Sequence, residues 1–167
     1  MYPAHYITKA KNLLHECEQR GLMISTAESC TGGLISALLT EIAGASAVYE
    51  RGFITYSNHA KHALLGVSEK TLNEHGAVSN PVAMEMARGA ITHSAAQLSM
   101  AVTGIAGPGG GTPAKPVGLV YIAAQLKGHD PAVKEYRFSG DRAQVRLAAV
   151  EKAIDLAQSL LIHTEKK

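Results

Sequence analysis

The chain has 167 residues, of which 46% are hydrophobic and 18% charged, with a formal net charge of +2. That balance excludes a disordered chain, and the length suits one compact domain that buries about two thirds of its unfolded surface without staples. The weak charge gives no argument for binding nucleic acid or an anionic membrane, and no apolar run approaches the ~20 residues of a membrane-spanning helix.

Residues 5–20 read as an amphipathic helix with Ile7, Leu13, Leu14 and Cys17 facing inward and Gly21 as its stop. "LMISTA" (22–27) is a short strand. "TGGLISALLTEIAG" (31–44) is a helix opening at a glycine pair, with Leu34, Ala37, Leu38 and Ile42 at helical spacing. "AVYERGFITYS" (47–57) is strand-like, and "NHAKHALLG" (58–66) is a short helix capped by Asn58 and stopped by Gly66. Residues 68–76 add a helical turn or two, and 79–96 form a helix with Pro81 in its first turn.

"LSMAVTGIAG" (98–107) is a strand running into the glycine-rich "GPGGGTPAKP" (107–116). Residues 117–126 and 132–138 are strands joined by "KGHDP". The last helix runs from Asp141 to about Ile162, with Val145, Ala149, Leu156 and Leu160 on one face and Leu147, Val150, Ile154 and Leu161 on the next. So wide a stripe predicts burial on a sheet, with a partner subunit on its flank. The order of elements predicts an α/β protein, a three-layer α/β/α sandwich on a mixed, partly parallel sheet with one hairpin. Lys166 and Lys167 read as a solvated tail.

Cys17 and Cys30 form neither a CxxC pair nor a disulfide framework. A reduced, cytoplasmic setting is the expectation, and the first 20 residues lack a signal-peptide core. Several catalytic patterns fail. "HECEQ" (15–19) lacks the second histidine of the zinc-protease motif. "GPGGG" has neither Rossmann nor P-loop spacing, and Ser29 is not followed by a lysine three residues later. His59 and His62 stand one turn apart, but nothing nearby supplies further metal ligands.

Three stretches carry chemistry. In "AESCTGG" (27–33) a strand enters a helix through small residues, where free N–H groups and the helix dipole attract a phosphate or an oxyanion. The plainer reading is that Ser29 or Thr31 only caps the helix. In "TYSNHAK" (55–61), Lys61 is a candidate general base, provided burial lowers its pKa from about 10.4 toward about 7–8; a surface lysine is the plainer reading. In "TGIAGPGGG" with "SGDRAQVR", a strand ending at Thr103 and Gly104 opens a glycine rim. Asp141 caps a helix carrying Arg142 and Arg146, which suit a phosphate or carboxylate; a solvated helix start is the plainer reading.

Together "TAESCTGG", "RGFITYSNHAK", "EHGAVSNPVA", "TGIAGPGGGTPAKPVGLVYIA" and "GDRAQVR" resemble the CinA carboxy-terminal family, over about residues 5 to 160. That family includes the bacterial nicotinamide-nucleotide amidases, and the chain, taken as a single domain over 1–167, resembles their stand-alone form. The resemblance implies hydrolysis of nicotinamide mononucleotide (NMN) to nicotinate mononucleotide and ammonia, in pyridine-nucleotide salvage, by a serine–lysine arrangement without metal or cofactor. Ser29 would be the nucleophile, Lys61 its base, and Tyr56 a support for the proton relay.

Backbone N–H groups from Cys30, Thr31, Gly32 and Gly33, or at Thr103 and Gly104, would hold the oxyanion. Arg142 or Arg146 would hold the phosphate, and Arg51 or Arg142 would offset its charge at Lys61. Cys30 is the rival nucleophile, and Glu28 either orients Lys61 or is simply a charge near the helix start. A non-catalytic nucleotide-binding module and an amidohydrolase of another amide are the alternatives. Neither DNA nor a membrane is expected as a partner; a second copy of the chain is.

Overall fold

The computed structural model describes residues 2–164; the terminal lysines lie outside them. The chain runs through α1 (Ala4–Gln19), β1 (Ile24–Glu28), α2 (Leu34–Thr40), β2 (Tyr49–Ile54), α3 (Asn58–Leu65), α4 (Glu69–His75), α5 (Asn80–Thr92), β3 (Leu98–Gly104), β4 (Leu119–Leu126), β5 (Ala132–Arg137) and α6 (Arg142–Thr164). The strands form a five-stranded sheet in the order β2-β1-β3-β4-β5. β1 is parallel to both β2 and β3, while β4 and β5 complete the sheet antiparallel.

This order places β1 where the winding of the sheet reverses. The chain leaves it through α2 for one neighbour and later returns through α5 to the other. In open α/β sheets, ligands bind beyond the carboxyl ends of the strands at such a point. β1 is buried along its whole length, as expected of a central parallel strand covered on both faces.

Side-chain alternation sorts the two faces. Ile24, Met100, Val102, Val120 and Ile122 belong to the core packed under α1, α2 and α6. Ala27, Ala101 and Ala123 belong to the smaller core under α5. Small residues on that face let α5 lie close, so the Ser25 and Ser99 hydroxyls reach the carbonyls of Ala90 and Ala87 at 3.1 and 2.8 Å.

Several local expectations shift. α2 starts at Leu34, not Thr31, because Gly32 and Gly33 have φ of 59° and 98°, a left-handed conformation that a right-handed helix cannot include. It buries Ile35, Leu38 and Leu39, so only Leu38 of the expected inner face is fully covered. α3 is capped by Ser57, not Asn58: the Ser57 Oγ accepts the Ala60 N–H at 3.0 Å.

Most of the wide stripe of α6 is covered within the chain, with Leu147 and Leu160 half-buried at its edge. One face meets β3 and β4, and α1 packs along the next. There the Tyr6 hydroxyl donates to the Leu147 carbonyl at 3.1 Å, and Lys9 bridges Glu151 and Asp155, both at 2.7 Å. That stripe therefore does not call for a partner subunit.

Candidate active site

Ser29 begins the turn after β1. Its N–H donates to the Val102 carbonyl on β3 at 3.0 Å, and its own carbonyl accepts the Gly32 N–H at 3.0 Å. The start of α2 leaves several N–H groups without helical acceptors. The Thr31 carbonyl takes that of Leu34 at 3.2 Å, and neither the Ser29 nor the Thr31 hydroxyl satisfies the others. The fully buried Glu28 does: Oε2 accepts from the N–H of Gly33 and Ile35 at 3.1 and 3.0 Å, and Oε1 accepts from the N–H and hydroxyl of Ser36 at 2.9 and 2.7 Å. A carboxylate also complements the positive end of the helix. With the cap supplied by Glu28, the Ser29 hydroxyl is free for other work.

That hydroxyl meets Lys61. The lysine sits on the buried side of α3, only 2% exposed. Its Nζ lies 3.0 Å from the Ser29 Oγ and 2.9 Å from the Thr55 carbonyl. Burial pulls the amine below the usual lysine range, against an opposing pull from the sulfur of Cys30. That opposition needs a thiolate, and burial pushes the Cys30 thiol up to about 11. Near neutral pH the sulfur is therefore uncharged, a poor nucleophile and no counter-ion for Lys61. Glu28 does not orient the lysine, since its hydrogen bonds go to the start of α2.

The pair opens into a cleft of about 280 Å³, lined by Ser29, Cys30, Tyr56, Asn58, Lys61, Ala77, Val78, residues 103–107, Gly109, Gly110 and Arg142. The volume lies near the lower end for small-molecule sites, about 300–1,000 Å³. Arg142 spans the mouth, donating to the Gly107 carbonyl at 2.8 Å and to the Tyr56 hydroxyl at 2.9 Å. Tyr56 is 62% exposed and its hydroxyl engages Arg142, not Ser29 or Lys61. The Thr103 hydroxyl donates to the Ala77 carbonyl at 2.8 Å, pinning the segment before α5 against β3.

The main chain separates the candidate oxyanion donors. The Gly32 and Gly33 N–H groups are occupied by the Ser29 carbonyl and the Glu28 carboxylate. Those of Cys30 and Thr31 donate to no described residue, and neither do those of Ala106, Gly107, Gly109 and Gly110 on the opposite rim.

The two arginines part company. Arg146 turns away from the cleft and donates to the carbonyls of Cys30 and Thr31, both at 3.0 Å. Arg51 is paired with Glu50 at 2.7 Å and lies outside the cleft lining. A neighbouring depression of about 350 Å³ holds His59 and His62; the His62 Nδ1 is 2.8 Å from the Val67 carbonyl.

A family model described as the CinA C-terminal domain matches residues 7–161. The chain belongs to the CinA C-terminal domain family. Nicotinamide-nucleotide amidohydrolase PncC of Escherichia coli K12 is 48% identical over 146 residues, which are 87% of this chain and 88% of that protein. A CinA-like protein of Syntrophotalea carbinolica is 52% identical over 139 residues, 83% of this chain but 34% of that protein. The chain thus spans about a third of its longer relatives. The crystal structure of competence/damage inducible protein CihA from Agrobacterium tumefaciens superposes with a TM-score of 0.94 at 47% identity, covering 96% of this chain and 98% of that one.

In this CinA domain, Ser29, Cys30, Tyr56, Lys61, Thr103, Gly104 and Arg142 line one cleft, whereas Thr31, Gly32, Gly33 and Arg146 form and fasten the turn behind it. Sequence reasoning passed over Asn58, Ala77, Val78 and Ala106 as lining residues. All four lie within or beside the motif segments. Asn58 was read as a helix cap, and its release from that task by Ser57 leaves it at the cleft.

Proposed function

We propose that this CinA domain hydrolyses the carboxamide of a nicotinamide nucleotide, NMN being the simplest, with Ser29 as nucleophile and Lys61 as its base. The observation that carries this reading is the buried Ser29–Lys61 pair at 3.0 Å, with no carboxylate bonded to the amine. A lysine held below its usual range has a lone pair available to accept a hydroxyl proton.

In this reaction the Ser29 Oγ attacks the carboxamide carbon while its proton passes to the Lys61 Nζ. The carbonyl oxygen becomes an oxyanion, and the Cys30 N–H, next after the nucleophile, is the nearest main-chain donor in sequence. When the tetrahedral intermediate collapses, the C–N bond breaks and Lys61 returns the proton to the departing nitrogen, releasing ammonia. Water, deprotonated by the same amine, then attacks the Ser29 ester; the acid leaves and the hydroxyl is restored.

Arg142 and the unpaired N–H groups of Gly107, Gly109 and Gly110 suit the nucleotide phosphate. Arg142 also offsets the dianion, which would otherwise raise the pKa of Lys61. Tyr56 helps by holding Arg142. Such a reaction belongs in pyridine-nucleotide salvage, a cytoplasmic process.

The test is ammonia release from NMN by the purified protein with EDTA present, beside Ser29→Ala and Cys30→Ala. Turnover by the wild type and Cys30→Ala, with Ser29→Ala inactive, is the expected result. Loss only in Cys30→Ala moves the chemistry to the thiol. NMN binding without ammonia release by the wild type leaves a nucleotide-binding module.

A further inference from the structure

We propose that Arg146 is a positioning residue: it holds the Cys30–Thr31 peptide, and with it the turn that presents the Ser29 hydroxyl and the Cys30 N–H to the cleft, in the orientation the reaction needs. The inference rests on the amidase reading above and extends it to a side chain that does not touch the cleft.

Peptide groups are rigid planes that carry a carbonyl at one end and an N–H at the other, pointing in opposite directions. Three such planes make the turn after Ser29. The Ser29–Cys30 plane is fixed because the Ser29 carbonyl accepts the Gly32 N–H. The Thr31–Gly32 plane is fixed twice, by that same N–H and by the Thr31 carbonyl, which accepts from both the Leu34 N–H and Arg146. The Cys30–Thr31 plane between them has a single hydrogen bond to any described residue, from the Arg146 Nε to the Cys30 carbonyl. At its other end the Thr31 N–H has no acceptor among the described residues. Without Arg146 nothing but its neighbours prevents this plane from rotating.

The geometry of the guanidinium suits the task. Two donors in a rigid fork take two successive carbonyls, which a lysine ammonium cannot do in the same plane. The guanidinium lies against Gly32, 3.4 Å from where a side-chain carbon would stand there, so it braces the turn from behind. Arg142, one helical turn earlier, points into the cleft mouth and to the Tyr56 hydroxyl. The two arginines of "GDRAQVR" thus serve different steps, Arg142 substrate binding and Arg146 the shape of the turn that carries the nucleophile and the Cys30 N–H. A donor displaced by a fraction of an ångström weakens the transition state far more than the bound substrate.

The experiment measures kcat and KM for NMN in the wild type, Arg146→Met, Arg146→Lys and Arg142→Met. Calorimetric NMN affinity is measured in the Ser29→Ala background with and without Arg146→Met. Arg146→Met is expected to lower kcat about 10- to 100-fold, with KM and NMN affinity within about twofold and an unmoved pH profile. Arg146→Lys recovers part of the loss, and Arg142→Met raises KM instead.

Wild-type kcat in a folded Arg146→Met overturns the inference, as does a loss that falls mainly on KM or NMN affinity. If the methionine variant does not fold, the lysine variant decides: reduced kcat at constant KM supports the role, and unchanged kcat overturns it. A wild type that releases no ammonia overturns the amidase reading, and this inference with it; an active wild type with indifferent Arg146 variants overturns the inference alone.

Discussion

On the β1 side of the cleft the polar groups are buried and tied down, whereas the glycine-rich side presents open main-chain N–H groups on an exposed loop. Glu28, Ser29 and Lys61 are all less than a tenth exposed, and together they are bonded to α2, β3 and the end of β2. The rim at 107–111 is held chiefly through Arg142 on the Gly107 carbonyl and through Val117, whose side chain crowds Gly107 and Gly111. The difference follows the tasks proposed for each wall. A nucleophile and its base need fixed geometry and a dry setting for a lowered pKa. A phosphate site needs donors that can close around a charge. Substitutions on the first wall should therefore act on kcat or on stability, and substitutions on the second on KM.

The sharpest break is at the reacting pair. Ser29→Ala is expected to lower kcat by about 10⁴-fold or more, and Lys61→Ala by about 10²–10⁴-fold, with NMN still bound in both. Retention of more than a tenth of wild-type ammonia release in Ser29→Ala would remove the serine from the reaction.

Next is Glu28, which touches no substrate. Glu28→Gln turns an amide NH2, a donor, toward donors and leaves buried N–H groups unmatched, at about 1–3 kcal/mol per group. The melting temperature should fall by roughly 5–10 °C, taking about 2–4 °C per kcal/mol for a chain this size. A shift below about 1 °C in calorimetry would mean that α2 does not depend on this cap.

On the opposite wall, Arg142→Met should raise KM about 10- to 100-fold, the value of one charge-assisted contact, and leave kcat within a few-fold. The same substitution should matter much less for a nicotinamide riboside lacking the phosphate. A uniform loss on both substrates would place Arg142 on the catalytic wall and dissolve the contrast between the two sides.

The contrast also marks what the sequence could reveal. The order of elements was legible because strands and helices here have clean periods and glycine or serine boundaries. Gly21 and Gly66 stop their helices as expected, each at positive φ. The candidate pair was legible only through the resemblance, since nothing in "TYSNHAK" reports that α3 turns Lys61 inward. Its burial depends on contacts made far along the chain.

Glu28 was missed as a cap because cap signatures look to the residue just before the helix. Here the acceptor reaches back across the turn, five to eight residues away in sequence. Arg146 was misread for a similar reason. Spacing puts it on the face of Arg142, but the turn behind Ser29 offers two carbonyls closer than the cleft. The breadth of α6 was read as an interface because α1, which covers it, lies at the far end of the sequence.

Lys61 gives the smallest and most discriminating effect, a change of stability with pH. Its charged form is the protonated amine, which burial disfavours, so the folded chain holds that proton less tightly than the unfolded chain. Below the folded pKa both states carry the proton and the whole cost of burying the charge weighs on the fold. As pH rises from the folded pKa to the unfolded value of about 10.4, that cost is lifted. Lys61→Met, of similar length and uncharged, should therefore melt above the wild type at pH 7, by about 1–2 kcal/mol or roughly 2–8 °C. The gap should narrow toward pH 10, because every other titrating group is common to both proteins. Over the same range, wild-type kcat/KM should rise to a plateau with an apparent pKa below 10.4, since the base must be neutral to act. A stability gap that stays constant from pH 6 to 10 would mean that the lysine titrates as if exposed. The fixed wall would then hold a charged ammonium beside Ser29, unable to take its proton.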